Sequence, residues 1–177
     1  MELRDLTVTF GDKVVFDHRD FSFPDAGITL LTGPSGVGKT TLLRALLAAY
    51  PDSAFLFQEN RLFPRRTVEQ HLLDVMDKPD RAAAERWLAL VELTGEEKTY
   101  PAQLSGGMAR RLALARCLAL GGARYLLDEP FAGVDEPLQL RLLERLKALN
   151  APMVLTTHNE SLYSLADGVV SLSRPTE

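Results

Sequence analysis

The sequence predicts an α/β fold with a mostly parallel sheet. Residues 125–127 and Met153–Thr156 are short, continuous apolar runs, which are typical of strands buried on both faces of a parallel sheet. A third apolar run, residues 28–31, leads through a glycine-rich loop into a helix-like run at 41–47. Strands and helices that alternate along the chain in this way imply an α/β fold.

The N-terminal part of the chain predicts additional, smaller strands. Residues 6–10 alternate between apolar and polar side chains, and the short runs 14–16 and 21–23 indicate two further strands. The helix that follows the glycine-rich loop should end near Pro51. Residues 54–57 then predict a short buried strand.

Capping residues predict where the later helices begin. Thr67 and Gln70 have the spacing of a capping box, and Asp80 is expected to cap another helix. Pro137 should lie in the first turn of a helix. The apolar stripe of that helix consists of Leu138, Leu142, Leu146 and Leu149.

Composition restricts the class of protein. The 177 residues fit one domain, or a core with a small subdomain. A net charge of −4 gives no support for a nucleic-acid-binding surface. The single cysteine, Cys117, cannot form an internal disulfide and is expected to be a buried thiol. Because no signal peptide or membrane-length apolar run is found, we expect a cytoplasmic protein that reaches a membrane only through a partner.

The glycine-rich loop fits the phosphate-binding pattern G-x-x-x-x-G-K-[ST]. Glycines let backbone N–H groups surround phosphate oxygens, and the following helix N-terminus adds positive potential. Lys39 is expected to reach the β- and γ-phosphates of a nucleotide, and the Thr40 hydroxyl to ligate Mg²⁺. The expected nucleotide-binding residues are Gly33, Pro34, Ser35, Gly36, Val37, Gly38, Lys39, Thr40 and Thr41. Alone, this loop fits a kinase, a GTPase or many ATPases.

Two carboxylates follow the apolar run 125–127. Asp128 would stand at the C-terminal end of a strand, where it can hold Mg²⁺, directly or through water, beside Thr40. Glu129, one residue further, would be free to orient or deprotonate an attacking water. This pair therefore favours hydrolysis of a bound nucleotide.

Ser105, Gly106 and Gly107 precede the amphipathic stretch 109–120 and predict a second anion-binding helix N-terminus. One γ-phosphate does not need two such sites from one protomer. A head-to-tail dimer resolves this, with Ser105 of one protomer facing the Lys39 site of the other. A flexible connection into a helix is the alternative explanation of the two glycines.

In this order, the motifs resemble those of the ATP-binding subunits of ABC transporters, nearly end to end. Residues 33–40 resemble the Walker A motif, residues 125–129 the Walker B motif, and residues 104–108 the family signature. The resemblance implies a P-loop NTPase fold with a RecA-like, mostly parallel sheet, an antiparallel β-subdomain and a helical signature subdomain. It also implies ATP and Mg²⁺ as cofactors.

The resemblance further implies a single ATPase domain over residues 1–177. Residues 1–57 and 121–177 would form the RecA-like core with its N-terminal β part, and about 60–120 the helical subdomain.

Three more positions match residues with known roles in the family. Gln58 matches the glutamine that senses Mg²⁺ and the attacking water, and His158 the histidine that contacts the γ-phosphate. Phe10 fits the aromatic residue that stacks on adenine, although Phe16 competes for that role. Residues 132–135 resemble the D-loop, which crosses the dimer interface. The implied catalytic residues are Lys39, Gln58, Glu129 and His158; the nucleotide-binding set gains Phe10, Ser105, Gly106 and Gly107; the metal ligands are Thr40, Gln58 and Asp128.

The chain departs from the family pattern in two places. Met108 stands where glutamine is usual, although importer-type members often have methionine there. Only 19 positions separate Lys39 from Gln58, which leaves no room for the usual β-hairpin. We therefore expect a reduced antiparallel β-subdomain. The chain also ends soon after a strand at 169–172, so no regulatory C-terminal domain is expected.

The resemblance implies the motor subunit of an ABC transporter, acting as a homodimer or as a heterodimer with a related ATPase. Residues 58–64 resemble the corresponding segment of nitrate, sulfonate, taurine and thiamine importers, which favours import of a small solute through a transmembrane permease. Leu62 and Phe63 could dock that permease or pack the helical subdomain. The expected location is the cytoplasmic face of the membrane. The alternatives are a membrane-linked regulator of the cell-division type and a P-loop small-molecule kinase.

His18 and His71 match no motif and are expected at the surface. Arg110 and Arg111, just after the signature, fit either an electrostatic role or a solvated helix face.

Overall fold

The computed structural model describes residues 1–173 and contains two sheets. The strands are β1 (Glu2–Phe10), β2 (Lys13–Ser22), β3 (Ile28–Thr32), β4 (Ser53–Leu56), β5 (Arg124–Leu127), β6 (Met153–Thr156) and β7 (Gly168–Ser171). Strands β3 to β7 form a five-stranded sheet in the order β4-β5-β6-β3-β7, and every pairing within it is parallel. The predicted α/β class is therefore confirmed.

Within residues 1–173, five α-helices connect these strands. They are α1 (Lys39–Ala49), α2 (Val68–Leu73), α3 (Arg81–Leu90), α4 (Gly106–Leu120) and α5 (Glu136–Lys147). The capping box of Thr67 and Gln70 is present, Asp80 caps α3, and Pro137 lies in the first turn of α5. The predicted helix starts are confirmed. Thr67 and Asp80 accept backbone N–H groups that the first helical turn leaves free, whereas Pro137 has no N–H that needs a partner.

The first two strands form an antiparallel pair outside the main sheet. Residues 14–16 and 21–23 were expected to be separate strands, but β2 runs continuously through most of both. The pairing is irregular, with register shifts between Leu3 and Thr9 and positive φ angles at Asp5 (54°) and His18 (47°). These irregularities let one long strand follow a sequence whose apolar alternation is interrupted.

The connection between α1 and β4 is very short. Residues 50–52 form all of it, and the Tyr50 hydroxyl closes it against β1 by accepting the Glu2 N–H at 2.8 Å and donating to the Glu2 carbonyl at 3.1 Å. No strand lies in this connection, so the expected reduction of the antiparallel β part is confirmed.

The parallel sheet is buried on both faces. Along β3, Ile28 and Leu30 face a core shared with the helices α2 to α5, whereas Leu31 faces a second core shared with α1 and the β1–β2 pair. Adjacent residues Leu126 and Leu127 of β5 divide between the two cores in the same way. Continuous apolar strands are the pattern that this arrangement requires, because both faces exclude water.

Two predictions about single residues have different outcomes. Cys117 is buried as expected, and burial raises the pKa of its thiol to about 12. His71 was expected at the surface, which is wrong, because it is only 1% exposed. Its Nε2 accepts the Phe63 N–H at 2.9 Å and its Nδ1 donates to the Thr67 carbonyl at 2.8 Å, so it joins the segment before α2 to the first turn of that helix. His18 is exposed, as predicted.

Within residues 1–173, none of the helices has the length and apolar character needed to cross a bilayer.

Candidate active site

The glycine-rich loop connects β3 to α1, and its glycines are fixed by their surroundings. Gly33 has φ 133°, and a Cβ there would lie 2.4 Å from the Leu172 carbonyl oxygen. Gly38 has φ 109°, and its Cβ would lie 2.7 Å from Val15. Both positions combine a left-handed backbone with a close neighbour, so only glycine fits without movement of the neighbour.

Lys39 begins α1 and lies across the loop. Its ammonium donates to the carbonyls of Gly33 at 2.8 Å and Pro34 at 3.0 Å, and the residue is only 8% exposed. Burial lowers the pKa of Lys39, while the charges of Glu129 and Asp128 raise it. The amine is thus held by neutral oxygens in a partly desolvated site, where a phosphate would be a stronger partner.

Asp128 follows β5 and accepts two hydroxyl hydrogen bonds. The Thr40 hydroxyl donates to Oδ2 at 2.7 Å, and the Thr156 hydroxyl donates to Oδ1 at 2.9 Å. Asp128 is only 3% exposed. The two threonine hydroxyls therefore fix its orientation in place of water. Thr156 also accepts the Glu129 N–H at 2.7 Å, which makes it a shared anchor of both carboxylates. Sequence reasoning missed Thr156; its position at the end of a buried strand, two residues before His158, was the available signal.

Glu129 and His158 meet at the edge of the sheet. His158 Nε2 lies 3.2 Å from Glu129 Oε1, and both side chains are partly open to solvent. Glu129 has a φ of 48°, an unusual conformation for a residue with a side chain. The turn after β5 therefore directs this carboxylate toward the histidine that follows β6.

Most of the predicted site residues converge on one cleft of about 320 Å³, although Gly33, Pro34 and Val37 do not line it. It lies between the phosphate-binding loop, the ends of β4 to β6 and the tip of the β1–β2 pair. Its lining includes Phe10, Ser35, Gly36, Gly38, Lys39, Thr40, Thr41, Gln58, Asp128, Glu129 and His158. Phe10 is 62% exposed, whereas its competitor Phe16 is 4% exposed and belongs to the core.

Ser105, Gly106 and Gly107 do not line this cleft. The Ser105 hydroxyl accepts the Met108 N–H at 3.2 Å and caps α4, and both Ser105 and Gly106 are exposed. Gly107 lies against the turn 132–135, since a Cβ there would be 2.6 Å from the Gly133 carbonyl oxygen. The second helix N-terminus therefore lies outside the cleft that the phosphate-binding loop of its own chain lines.

Arg110 is the second site residue whose contacts the sequence did not predict. A solvated helix face was one expectation for Arg110, and it is wrong, because the residue is 2% exposed. Its guanidinium donates to the backbone carbonyls of Asp128 and, at 2.9 Å, of Glu129. Burial lowers the pKa of Arg110, and the neighbouring carboxylates raise it.

The protein supplies only part of a ligand set for a metal ion. In the part of the chain that the structure describes, no three His, Cys, Asp or Glu residues are grouped so as to hold a metal ion. Mg²⁺ commonly takes one or two protein oxygens and completes its shell with phosphate and water. The Thr40 hydroxyl and the Asp128 carboxylate fit that donor set.

A parallel sheet with this loop, this lysine and these strand-end carboxylates defines a P-loop nucleoside-triphosphatase. The family model described as ABC transporter matches residues 51–132, and that described as the P-loop containing region of AAA domain matches residues 10–55. The chain is 40% identical to the aliphatic sulfonates import ATP-binding protein SsuB 1 of Nocardia farcinica, over 96% of this chain and 76% of that protein. The chain belongs to the ATP-binding proteins of ABC transporters, and it is an ATP-binding ATPase of that class.

Other similarities agree with this family. The sulfate/thiosulfate import ATP-binding protein CysA of Mycobacterium bovis is 34% identical, over 96% of this chain and 58% of that protein. A dimeric ATP-binding cassette solved with ADP and Pi in a post-hydrolysis state has a TM-score of 0.81 and 22% identity, covering 97% of this chain and 94% of the other. That structural likeness shows the fold.

Proposed function

We propose that this chain hydrolyses MgATP as the motor subunit of an importer for a small solute. The observation that carries the proposal is the Glu129 carboxylate, which contacts His158 and lines the same cleft as Lys39. In this proposal, Glu129 is the base, His158 its hydrogen-bonding partner and Lys39 the phosphate-binding cation around one space. In phosphoryl transfer, a protein contributes mainly such positioning and charge stabilisation.

Each residue has a distinct proposed role. Lys39 stabilises charge on the β- and γ-phosphates, and Glu129 orients and deprotonates the attacking water. His158 contacts the γ-phosphate, and Gln58 senses the water and the metal. Phe10 stacks on adenine, since its exposed ring lies at the rim of the cleft.

Thr40 and Asp128 are the proposed ligands of Mg²⁺, Asp128 directly or through water, with Gln58 as a third contact. When bound, Mg²⁺ would neutralise charge on the phosphate oxygens. The hydrogen bonds from Thr40 and Thr156 hold Asp128 in the orientation that this role needs. Thr40 would then exchange its Asp128 bond for the metal.

Two copies of the chain would form the complete ATP site. Ser105, Gly106 and Gly107 lie outside the cleft of their own chain, and the first two are exposed. In a head-to-tail dimer they would bind the γ-phosphate held by the partner, as an N-terminal helix turn can. The dimeric state of the similar solved cassette supports this arrangement.

The coupling surface for a permease is proposed to be an apolar groove of about 310 Å³ beside residues 57–63. Phe63 and Leu120 are 58% and 55% exposed there, while Leu62 packs against the core. Exposed apolar side chains around a groove are typical of helix docking. Docking would hold the protein at the cytoplasmic face of the membrane. We also propose that about 60–120 form a helical subdomain and that 1–57 and 121–177 form the core, of which 174–177 lie outside the described residues.

The relatives support import but differ in their named substrates, aliphatic sulfonates in one and sulfate or thiosulfate in another. A small oxyanionic solute is therefore the proposed cargo class. The permease would select the individual compound.

Glu129→Gln tests the proposed chemistry. The substitution preserves size and backbone conformation but removes the base, so ATP binding should persist while turnover falls by about 100-fold or more. An ATP-dependent dimer should become visible by gel filtration. Glu144→Gln, an exposed carboxylate of α5, is the matched control and should retain turnover. Wild-type hydrolysis by Glu129→Gln would refute the proposed base.

A further inference from the structure

Arg110 contacts both backbone segments of the catalytic edge, which consists of residues 57–60 after β4 and residues 128–129 after β5. Besides the carbonyls that follow β5, its Nη1 donates to the Phe57 carbonyl at 2.7 Å and the Gln58 carbonyl at 3.0 Å, and to Asn60 Oδ1 at 3.1 Å. Residues 57–60 follow β4, the neighbour of β5 in the sheet. A single guanidinium thus connects the two segments that carry Gln58 and Glu129.

All of these acceptors are uncharged oxygens. Burying a guanidinium without a direct carboxylate partner costs several kcal/mol unless its N–H groups are satisfied. An apolar side chain would fill the same space at lower cost. The fixed fork of Nε, Nη1 and Nη2 instead specifies the relative positions of the oxygens that it binds. Arg110 is therefore suited to fixing geometry more than to adding stability.

A second arginine of α4 extends the attachment. Arg116 donates to the carbonyls of Asn60 at 2.9 Å and Arg61 at 2.8 Å. Together, Arg110 and Arg116 hold carbonyl or amide oxygens of four residues between 57 and 61. This segment is consequently attached to α4 along most of its length.

Ser105 caps the same helix, one and a half turns before Arg110. We propose that Arg110 is a positioning residue that fixes Gln58 and Glu129 relative to each other and to α4, so that a displacement of α4 moves both. The inference rests on the proposed function, in which the start of α4 contacts ATP bound by the partner. Arg110 would thereby connect the two ATP sites of the proposed dimer physically, since α4 contributes to one site and Gln58 and Glu129 to the other.

Arg111 provides a matched control on the same helix. It donates to the carbonyls of Val91 at 2.7 Å and Glu92 at 2.6 Å, at the end of α3. Neither contact involves the segment 57–61 or the end of β5. Substitutions at Arg110 and Arg111 therefore remove the same kind of hydrogen bond from one helix, but only the first detaches the catalytic edge.

The test compares Arg110→Lys with Arg111→Lys, both of which keep the charge and lose the fork. Arg110→Lys should lower kcat by about tenfold to 100-fold. Its Kd for a fluorescent ATP analogue with Mg²⁺ should stay within about twofold of wild type. Arg111→Lys should keep kcat within about threefold of wild type, even if its melting temperature falls as far as that of Arg110→Lys. Wild-type kcat in Arg110→Lys, or equal losses in both variants, would overturn the inference.

Hydrogen exchange supplies a readout that needs no turnover. Amides of residues 57–61 should exchange faster in Arg110→Lys than in wild type or Arg111→Lys, with core strands unchanged. Unchanged exchange in Arg110→Lys would overturn the inference, whether or not the wild type hydrolyses ATP. An inactive wild type would count against the proposed function alone. Should Arg110→Lys fail to fold, Asn60→Ala removes one acceptor of Arg110 without burying a new charge. It should lower kcat in the same direction, and an unaltered kcat would contradict the proposal.

Discussion

The Nε2 atom of His158 lies 3.2 Å from Oε1 of Glu129. The two residues follow the neighbouring parallel strands β6 and β5, whose carboxyl ends share one edge of the sheet. The positive φ of Glu129 turns its side chain into this position, and a left-handed backbone is unfavourable for a residue with a Cβ. Neighbouring contacts maintain it, among them the Glu129 N–H bond to Thr156. Such local strain is typical of functional sites.

His158→Ala should reduce hydrolysis by about tenfold to 100-fold while leaving nucleotide binding nearly intact. The reason is that His158 is proposed to contact the γ-phosphate, whereas Lys39 and the loop carry most of the ground-state binding. Steady-state ATPase and fluorescent-nucleotide titration separate the two effects. His18→Ala, an exposed histidine of β2, serves as the control. Loss of affinity without loss of kcat would contradict the assigned role.

Ser105→Arg should prevent dimer closure. The side chain is exposed at the start of α4, so the larger residue fits the monomer but would occupy the space of the partner's γ-phosphate. Combined with Glu129→Gln, it should abolish the ATP-dependent dimer in gel filtration and keep single-site nucleotide binding. Ser22→Arg, at an exposed serine of β2, should leave the dimer intact. Undiminished ATPase in Ser105→Arg alone would refute the shared site.

The sequence predicted the strand–loop–helix unit and the position of each motif because these depend on local order. Residues 28–31, the glycines and Lys39 specify their own conformation within a few positions. The parallel sheet then brings strand ends together, which explains why Asp128 and Thr40, 88 positions apart, lie in hydrogen-bond contact.

Thr156→Val should destabilise the fold by about 1–3 kcal/mol because it leaves a buried oxygen of Asp128 and the Glu129 N–H without their partner. The same change should lower kcat, since both carboxylates lose a shared anchor. Urea unfolding and steady-state ATPase measure the two effects. Thr157→Val is the matched control: it is buried, and its hydroxyl accepts the Asn159 N–H. Equal kcat values for the two variants would contradict the anchoring role of Thr156.

The contacts of Thr156, Arg110 and His71 could not be predicted from local pattern. Arg110 resembles Arg111 in sequence, and only the packing of α4 against the ends of β4 and β5 distinguishes a buried guanidinium from a half-buried one. His71 faces inward because the segment 63–67 folds back over α2. The burial of Arg110 depends on tertiary contacts and the contacts of His71 on the path of the preceding loop, neither of which charge and periodicity encode.

His71 should make stability depend on pH. Burial lowers its pKa below the unfolded value of 6.5, with the Thr67 carbonyl opposing this in part. Between the folded and unfolded pKa values, the unfolded chain binds a proton that the native chain does not, so stability falls as pH decreases through that window. The contribution of His71 to stability is fully present above about pH 6.5. Urea unfolding from pH 8 to pH 5.5 should show a steeper loss in wild type than in His71→Gln; parallel curves would contradict this.

Gly33→Ala and Gly11→Ala should differ in cost although both glycines have positive φ, 133° and 58°. At Gly11 nothing lies within 4 Å of a new Cβ, so the penalty is the left-handed backbone alone, about 1 kcal/mol. At Gly33 the Cβ would lie 2.4 Å from the Leu172 carbonyl oxygen, which forces the phosphate-binding loop away from the strand end beside it. Gly33→Ala should therefore lose more stability in urea unfolding and should also weaken binding of a fluorescent ATP analogue, whereas Gly11→Ala should keep its affinity. Equal unfolding midpoints for the two variants would show that the close approach of Leu172 does not constrain the loop.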